Sequence, residues 1–311
     1  MDLLQALFLT PFATMWDNPE FVIEVVVGGL LSGVMYSLVA LGFVLIFKAS
    51  GVFNFAQGTM VLFAALTFVG MIERGVPIWG AFVIAAAVMV LLAFAIERLM
   101  LRPLVNQEPI ILFMATIGLA FFLDGFGQLV WGSDVHPLDI GIPKDPIIVA
   151  GVLINEFDLI AAIVCGTMVA VLAVFFQWTA IGRALRAVAD DHQAALSVGI
   201  PLKTIWVIVW AVAGIVGLVA GIMWGSNLGV QFSISLVALK ALPVLILGGF
   251  TSVPGAIVGG LIIGAGEKVA EVFWGPATGG AIEDWFAYVL ALVFLLFRPQ
   301  GLFGERIIER V

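Results

Sequence analysis

Residues 22–47 read VIEVVVGGLLSGVMYSLVALGFVLIF, and Glu24 is the only charged residue among them. About 20 consecutive apolar residues are enough to cross the hydrocarbon core of a bilayer as an α-helix. A helix also satisfies its own backbone hydrogen bonds, which lipid cannot do. This stretch therefore predicts a membrane-spanning helix.

The composition of the whole chain agrees with that interpretation. Of its 311 residues, 63% are hydrophobic and 11% are charged, against about 25% charged in ordinary soluble domains. So few charged side chains cannot cover a water-soluble globule of this size. The composition excludes a soluble enzyme, a nucleic-acid-binding protein and a disordered chain. The predicted fold class is all-α, a polytopic transmembrane helical bundle that forms a single domain over residues 1–311.

Comparable apolar runs recur along the chain and predict further spanning helices. We expect spans at about 22–47, 57–72, 78–97, 109–131, 159–178, 205–225 and 285–297, with a fragmented region at 236–266. These runs predict about seven to nine crossings, with short broken or re-entrant segments among them. Cys165 is the only cysteine and the two histidines lie far apart, so no internal disulfide, metal site or cofactor is expected in this chain.

The placement of basic residues predicts the orientation. Lysine and arginine near helix ends favour the cytoplasmic side. The basic residues consistent with the cytoplasmic side are Lys48, Arg98, Arg102, Arg183, Arg186, Lys203, Arg298, Arg306 and Arg310. The opposite loops are mainly acidic. We therefore expect the N-terminus outside and the C-terminus inside.

The fragmented region contains two apolar halves, 236–248 and 253–266, each too short to span comfortably. Either both halves cross the membrane or they form a re-entrant hairpin. Non-helical backbone at membrane depth is tolerated only where protein or a water-filled cavity surrounds it.

The break in this region resembles one that follows the first span. Residues Ser37–Leu41 and Ser235–Leu239 both read SLVAL, and each is followed by Gly-x-Phe-x-x-x-x-Gly, at 51–58 and 248–255. The two matches together suggest a parallel internal repeat. Interrupted segments at corresponding positions of two halves indicate a transport site.

Polar residues at the two breaks are candidates for a translocation path. They are Asn54, Gln57 and Gly58 at the first break and Thr251 and Ser252 at the second. They could equally satisfy backbone groups freed by the break. A packing role is expected for Gly259, Gly260 and Gly264, because small residues let helices approach closely.

Three charged residues fall within apolar segments: Asp124, Lys240 and Glu267. A charge at the bilayer centre is costly unless it has a partner or a watery cavity. The acids could be solvated near the outer interface and Lys240 could snorkel outward, or these residues could belong to a solute pathway.

The segment from Thr179 to Pro201 predicts a helix on the cytoplasmic side. It is rich in alanine. Gly199 suits the left-handed position after a helix, and Pro201 prevents its continuation. We expect Arg186 and Asp190 to form an ion pair one turn apart. A face of small residues flanked by charges suits docking into the groove of a partner protein.

Within this segment, Gln193-Ala194-Ala195-x-x-x-Gly199 resembles the Glu-Ala-Ala-x-x-x-Gly loop of ABC importer permeases, with glutamine in place of glutamate. Further blocks are similar to the branched-chain amino acid permease family of the LivH type. They are Asn54–Gly58 (which has Gln57 where the family usually has histidine), Ala115–Gly118, Gly182–Ala187, Leu247–Gly249, Ser252–Gly260 and Arg298–Gly301.

The resemblance implies a permease subunit of an ABC importer in the bacterial inner membrane. Expected partners are a homologous second permease subunit of the LivM type, two ATPase subunits that use ATP and magnesium, and a periplasmic solute-binding protein. The coupling helix would cover about 183–199. The residues expected to couple it to the ATPases are Arg183, Arg186, Asp190, Asp191, Gln193, Ala194, Ala195 and Gly199. An Ala195→Glu change should then block docking.

The resemblance also implies alternating access, with no covalent chemistry in this chain. The solutes would be branched-chain amino acids or related small polar molecules, with amides, urea and aromatic carboxylates left open. The alternative is a stand-alone secondary transporter coupled to ions. That mechanism requires a buried carboxylate relay, for which only Asp124 and Glu267 are available.

Overall fold

The computed structural model describes residues 3–104, 107–149, 151–190 and 192–304. Its α-helices are α1 (Leu3–Phe8), α2 (Thr10–Asp17), α3 (Pro19–Ser50), α4 (Gln57–Glu73), α5 (Ile78–Ile96), α6 (Pro109–Trp131), α7 (Glu156–Trp178), α8 (Ala180–Asp190), α9 (His192–Ser197), α10 (Leu202–Leu228), α11 (Val237–Gly248), α12 (Val253–Thr278) and α13 (Phe286–Phe297). Short 3₁₀ turns cover Phe232–Leu236 and Ile282–Asp284, and a π-helical turn covers Glu97–Leu101.

The all-α class is confirmed, with one small addition. An antiparallel hairpin of β1 (Pro146–Val149) and β2 (Val152–Asn155) precedes α7. Gly151 has a φ of +87° between the strands, a conformation that costs glycine little. The hairpin was not anticipated because its strands are only four residues long.

Among the described residues, five helices are long and apolar enough to cross a membrane: α3, α5 with its π-helical turn, α6, α7 and α10. The pair Phe232–Gly248 and Val253–Thr278, bent by 115°, is a sixth candidate, and α4 and α13 are shorter apolar helices. These elements correspond to the eight predicted apolar segments. The number of crossings and the orientation stay predictions.

The bent pair corrects one expectation. The second apolar half was expected to cover residues 253–266 and to be too short to span comfortably. Instead α12 continues to Thr278 over 26 residues. Glu267 is buried and pairs with Lys240, so its charge does not terminate the helix. The second half is therefore long enough to span, and only α11 is short.

The chain forms two compact units. The first unit comprises residues 1–37, 141–166 and 240–311, and the second unit comprises residues 38–140 and 167–239. Helices α3 and α7 each contribute residues to both units. The single permease domain expected over 1–311 stays a prediction.

A close crossing of α3 and α12 organises the first unit. A Cβ built on Gly29 would lie 2.7 Å from the Cα of Ala265, and a Cβ on Gly260 would overlap the Oγ of Ser37. A Cβ on Gly259 would lie 2.7 Å from the carbonyl oxygen of Val244 in α11. A Cβ on Gly264 would overlap the carbonyl oxygen of Gly29. The packing role expected for Gly259, Gly260 and Gly264 is confirmed, because any side chain there would push the helices apart.

Helix α4 lies at the centre of the second unit. Every residue from Gln57 to Gly70 except Thr59 is buried. Helices α5, α6 and α10 surround it. A Cβ on Gly221 of α10 would lie 2.7 Å from the carbonyl oxygen of Val61. A helix enclosed by protein does not have to match the thickness of the lipid, which explains why α4 has only 17 residues.

The two copies of the SLVAL repeat have the same local architecture. In each copy a helix ends at a break and a second helix follows, α3 and α4 in one case and α11 and α12 in the other. A glycine with positive φ lies fourteen residues after the serine in both, Gly51 at +69° and Gly249 at +103°. The correspondence supports the expected parallel repeat.

The serines of the two copies pack reciprocally. Ser37 of the first copy donates a hydrogen bond to the carbonyl oxygen of Ile257 at 3.2 Å in α12. The carbonyl oxygen of Ser235 in the second copy occupies the place that a side chain on Gly58 of α4 would need. Each repeat therefore packs its serine against the helix that follows the break in the other repeat.

Candidate functional site

The segment expected to form the coupling helix contains α8 and α9, with Asp191 outside the described residues. We call it the coupling segment, and its coupling role stays a prediction. The structure anchors α8 to the end of α7. Arg183 donates to the carbonyl oxygen of Trp178 at 3.2 Å, and Arg186 donates to those of Phe176 and Gln177. The last carbonyls of a helix lack intrahelical partners and carry partial negative charge. The two guanidinium groups therefore clamp α8 onto α7.

This clamp corrects the expected ion pair between Arg186 and Asp190. Among the described residues, the structure records no salt bridge between them, and Asp190 is exposed. The carbonyls at the end of α7 offer fixed acceptors, whereas a solvated carboxylate one turn away adds little. Both arginines are thus used within the chain, and their role in contacting an ATPase stays a prediction.

The coupling segment contains both buried and exposed residues. Gly182, Leu185 and Val188 are buried, and so is Ala195, at 2% exposure. The exposed residues near the end of the segment include Ala194, Leu196 and Val198. We call Ala194, Leu196 and Val198 the α9 surface.

Ala195 therefore cannot present its side chain to a partner as expected. An Ala195→Glu change would bury a carboxylate inside the chain, and it would not test docking. Gln193 lies within α9. Gly199 has a φ of +85° and its amide donates to the carbonyl oxygen of Leu196 at 3.0 Å. The expected helix end at Gly199 is confirmed.

The polar groups at the first break are used internally. Asn54 and Gln57 are buried, and the amide of Asn54 donates to the Oε1 of Gln57 at 3.4 Å. The Oδ1 of Asn54 accepts from the amide of Ala56 at 3.0 Å, and Gln57 donates to the carbonyl oxygen of Ala213 at 3.3 Å. The bond from Ala56 satisfies a backbone amide at the break, and the bond from Gln57 links the break to α10. A role for Asn54, Gln57 and Gly58 in translocation stays a prediction.

The second break has the same kind of local chemistry. The Oγ of Ser252 accepts from the amide of Gly255 at 3.0 Å and so caps the N-terminus of α12. Thr251 lies in the turn before it, and both residues are partly exposed. Their role in translocation also stays a prediction.

A charged network joins four segments of the first unit: α3, α11, α12 and the 3₁₀ turn Ile282–Asp284. The Nζ of Lys240 in α11 lies 2.9 Å from the Oε1 of Glu267 in α12. The hydroxyl of Tyr36 in α3 donates to the same oxygen at 3.2 Å. Lys240 also donates to the carbonyl oxygen of Glu283 at 3.0 Å and lies 3.4 Å from the Oδ1 of Asp284.

Sequence reasoning considered Lys240 and Glu267 separately and missed this pair. The available signal was their opposite charge, since charges in apolar segments usually pair with one another. The Oε1 of Glu267 accepts from an ammonium and a phenol at once, so contacts from two other helices hold this carboxylate in place. A role for Glu267 in an ion-coupled transporter stays a prediction of the alternative function.

Asp124 of α6 borders a small cavity of the second unit. The amide of Gln128 donates to its Oδ2 at 3.2 Å. The cavity has a volume of about 40 Å³ and is also lined by Ser133, Asp134 and Gln231. Such a volume holds about three waters. The two expectations for Asp124, solvation near the outer interface and a place in a solute pathway, both stay predictions.

Comparison with known proteins adds the family. The family described as "Branched-chain amino acid transport system / permease component" matches residues 25–297. The chain is 31% identical to the high-affinity branched-chain amino acid transport system permease protein BraD of Pseudomonas aeruginosa, over 93% of this chain and 98% of BraD. It is 27% identical to the corresponding protein LivH of Escherichia coli, over 91% of this chain and 96% of LivH.

Two more distant similarities were found. The fructose import permease protein FruG of Bifidobacterium longum is 23% identical over 80% of this chain and 74% of FruG. A solved structure of PsaBC from Streptococcus pneumoniae in complex with Fab covers 92% of this chain and 94% of its own, at 15% identity and a TM-score of 0.46. At that score the likeness establishes neither a fold nor a function. The match over residues 25–297 and the similarity to BraD show that this multi-pass membrane protein belongs to the permease components of branched-chain amino acid ABC transport systems.

Proposed function

We propose that the chain is a permease subunit of an ABC importer in the bacterial inner membrane. It passes branched-chain amino acids or related small polar solutes from a periplasmic binding protein to the cytoplasm by alternating access. It pairs with a homologous second permease subunit and two cytoplasmic ATPase subunits, and it makes no covalent chemistry itself. The observation that supports this most is the family match, which covers residues from both compact units.

The coupling segment supplies a mechanical argument for the same function. The α9 surface exposes aliphatic side chains next to α8, and the arginine clamp holds α8 against the end of α7. Helix α7 has 23 residues, or about 35 Å at 1.5 Å per residue. A displacement applied to α8 is therefore transmitted to a helix that is long enough to cross the membrane.

Energy input determines the direction of the cycle. A bound ligand shifts a conformational equilibrium only by its differential affinity for the two states. Moving a population from 1:99 to 99:1 requires about 5.5 kcal/mol. Nucleotide binding to the ATPases can supply such a difference when it is transmitted through a rigidly anchored segment.

The test is solute uptake by the complete importer in proteoliposomes. The chain, its companion permease and the ATPase subunits are reconstituted, and binding protein loaded with radiolabelled leucine is added outside. We expect uptake with ATP inside the vesicles and none with ADP. Valine, acetamide, urea, benzoate and fructose, each with the same protein components, define the solute range.

The same vesicles test the alternative function. Uptake driven by a proton or sodium gradient through the chain without ATPase subunits would refute the proposal and favour a secondary transporter. A complete importer that moves none of these solutes with ATP would also contradict it.

A further inference from the structure

A cavity in the first unit lies between the N-terminal part of α3, the start of α7 and the middle of α12. Its volume is about 220 Å³. At about 15 Å³ for each water-sized group, this space exceeds what the non-hydrogen atoms of leucine require. The lining residues that could contact an occupant include the charged Glu24, Asp158 and Lys268 and the aliphatic Val25, Leu31 and Val272.

The three charged residues come from three different helices, and two of them are acidic while the third is basic. Glu24 and Asp158 are partly buried, and Lys268 is exposed. Within the described part of the chain, no salt bridge joins Lys268 to either acid. The three charged groups therefore border an open volume, and no ion pair at contact distance joins the lysine to either acid. An occupant with both a cationic and an anionic group would complement them.

The aliphatic residues of the cavity define the remainder of the occupant. Ligand sites are typically lined by apolar side chains with a few polar groups that fix orientation. Val25 is buried, and Leu31 and Val272 are partly buried. An aliphatic side chain can pack against them while its charged end meets the acids and the lysine.

Glycine at position 28 keeps the cavity open. A Cβ built on Gly28 would meet nothing within 4 Å, whereas one on the neighbouring Gly29 would lie 3.0 Å from the Cβ of Lys268. The helices α3 and α12 thus touch at Gly29 and leave space at Gly28. A large side chain at position 28 has room for its Cβ and would extend into the cavity that Gly28 lines.

We propose that this cavity binds a zwitterionic aliphatic α-amino acid as it enters the permease, with its ammonium at Glu24 and Asp158, its carboxylate at Lys268 and its side chain against the aliphatic wall. The proposal rests on the proposed function, in which such solutes are the cargo. The acids and the lysine lie in segments that the charge distribution places on the outer side, where a periplasmic binding protein delivers solute.

The test measures binding of radiolabelled leucine to the purified importer, without ATP or binding protein, in nanodiscs of phosphatidylcholine. We expect Lys268→Gln and Asp158→Asn each to weaken binding by about tenfold or more. Gly28→Leu should abolish it by filling the cavity. The matched control is Gly125→Leu, because Gly125 is also helical and a Cβ there also meets nothing within 4 Å; it should bind leucine as the wild type does.

Leucine analogues separate recognition from a merely structural effect. Isopentylamine lacks the carboxylate, so its weaker binding should be insensitive to Lys268→Gln. The acid 4-methylpentanoate lacks the ammonium, so its binding should be insensitive to Asp158→Asn. Equal losses for leucine and isopentylamine in Lys268→Gln would overturn the proposed orientation.

Other outcomes distinguish this proposal from the proposed function. Leucine binding that survives Lys268→Gln and Gly28→Leu, in an importer with normal ATP-driven uptake, overturns the site and leaves the function intact. The zwitterionic headgroup of phosphatidylethanolamine carries the same pair of charges. If this lipid, added to the nanodiscs, displaces leucine while valine and isoleucine do not, the cavity is a lipid site and the proposal is overturned. An importer that neither binds nor moves amino acids refutes both.

Discussion

The α9 surface makes a quantitative prediction about ATPase docking. Val198 is 74% exposed and Leu196 is 54% exposed, so truncating either side chain disturbs little inside the chain. If an ATPase subunit covers this surface, the exposed part of each side chain becomes buried on docking. The substitutions Val198→Ala and Leu196→Ala should therefore weaken association and leave folding intact.

The expected loss follows from the exposed fraction and the carbon atoms removed. Val198→Ala removes two methyl groups at about 0.8 kcal/mol each, and scaling by 74% gives about 1.2 kcal/mol, or about eightfold in affinity. Leu196→Ala removes three carbon atoms, and scaling by 54% gives about 1.3 kcal/mol, or about ninefold. If the two effects are additive, the affinity of the double variant for the ATPase subunits should fall by about 70-fold.

The assay is the equilibrium affinity of the ATPase subunits for the permease pair in nanodiscs, with stimulation of ATP hydrolysis as a second readout. The matched control is Ile148→Ala on β1, because Ile148 is 73% exposed and lies in a loop expected on the outer side. It should leave the affinity unchanged. Unaltered affinity in the double variant, or an equal loss in Ile148→Ala, would refute the assignment of the α9 surface as the docking site.

The first unit supplies two predictions on stability, both measured by thermal unfolding in detergent. Glu267→Gln removes the buried carboxylate beside Lys240 and leaves the exposed Asp284 as its counter-ion, so we expect a loss of about 3 kcal/mol, the low end for a broken buried pair. The double change with Lys240→Met should recover most of it, and a double variant as unstable as the single one would argue against the pair. Gly260→Ala inserts a methyl group where the Oγ of Ser37 lies and should cost about 1–3 kcal/mol. Gly28→Ala, which meets open space, should be neutral or slightly stabilising, and an equal loss in both glycine variants would contradict the crossing as the cause.

Long apolar runs made most helices predictable. The span expected at 109–131 is α6, and the one expected at 57–72 is α4 with one further residue. The positive-φ glycines at the two breaks also follow from residue type, because glycine adopts that conformation readily. The length of α12 was underestimated because the uninterrupted apolar run ends before Glu267, and the partner that lets this charge lie within the helix is on another helix.

The coupling segment shows the limit of local pattern reasoning. Its helical character and its end at Gly199 were predictable from alanine content, glycine and proline. The partners of Arg186 were not, because the free carbonyls of α7 approach it only after the chain has turned. The burial of Ala195 could not be predicted either, since a small residue is equally compatible with a buried and an exposed face of a helix.

Composition and motif content sufficed to identify a helical membrane protein and its permease family, because lipid restricts backbone structure to elements that satisfy their own hydrogen bonds. The pairing of Lys240 with Glu267, the glycine contacts of α3 with α12 and the charged cavity beside Gly28 all depend on which helix faces reach one another. Those contacts join residues far apart in the chain, and periodicity along one helix carries no information about the identity of its neighbour.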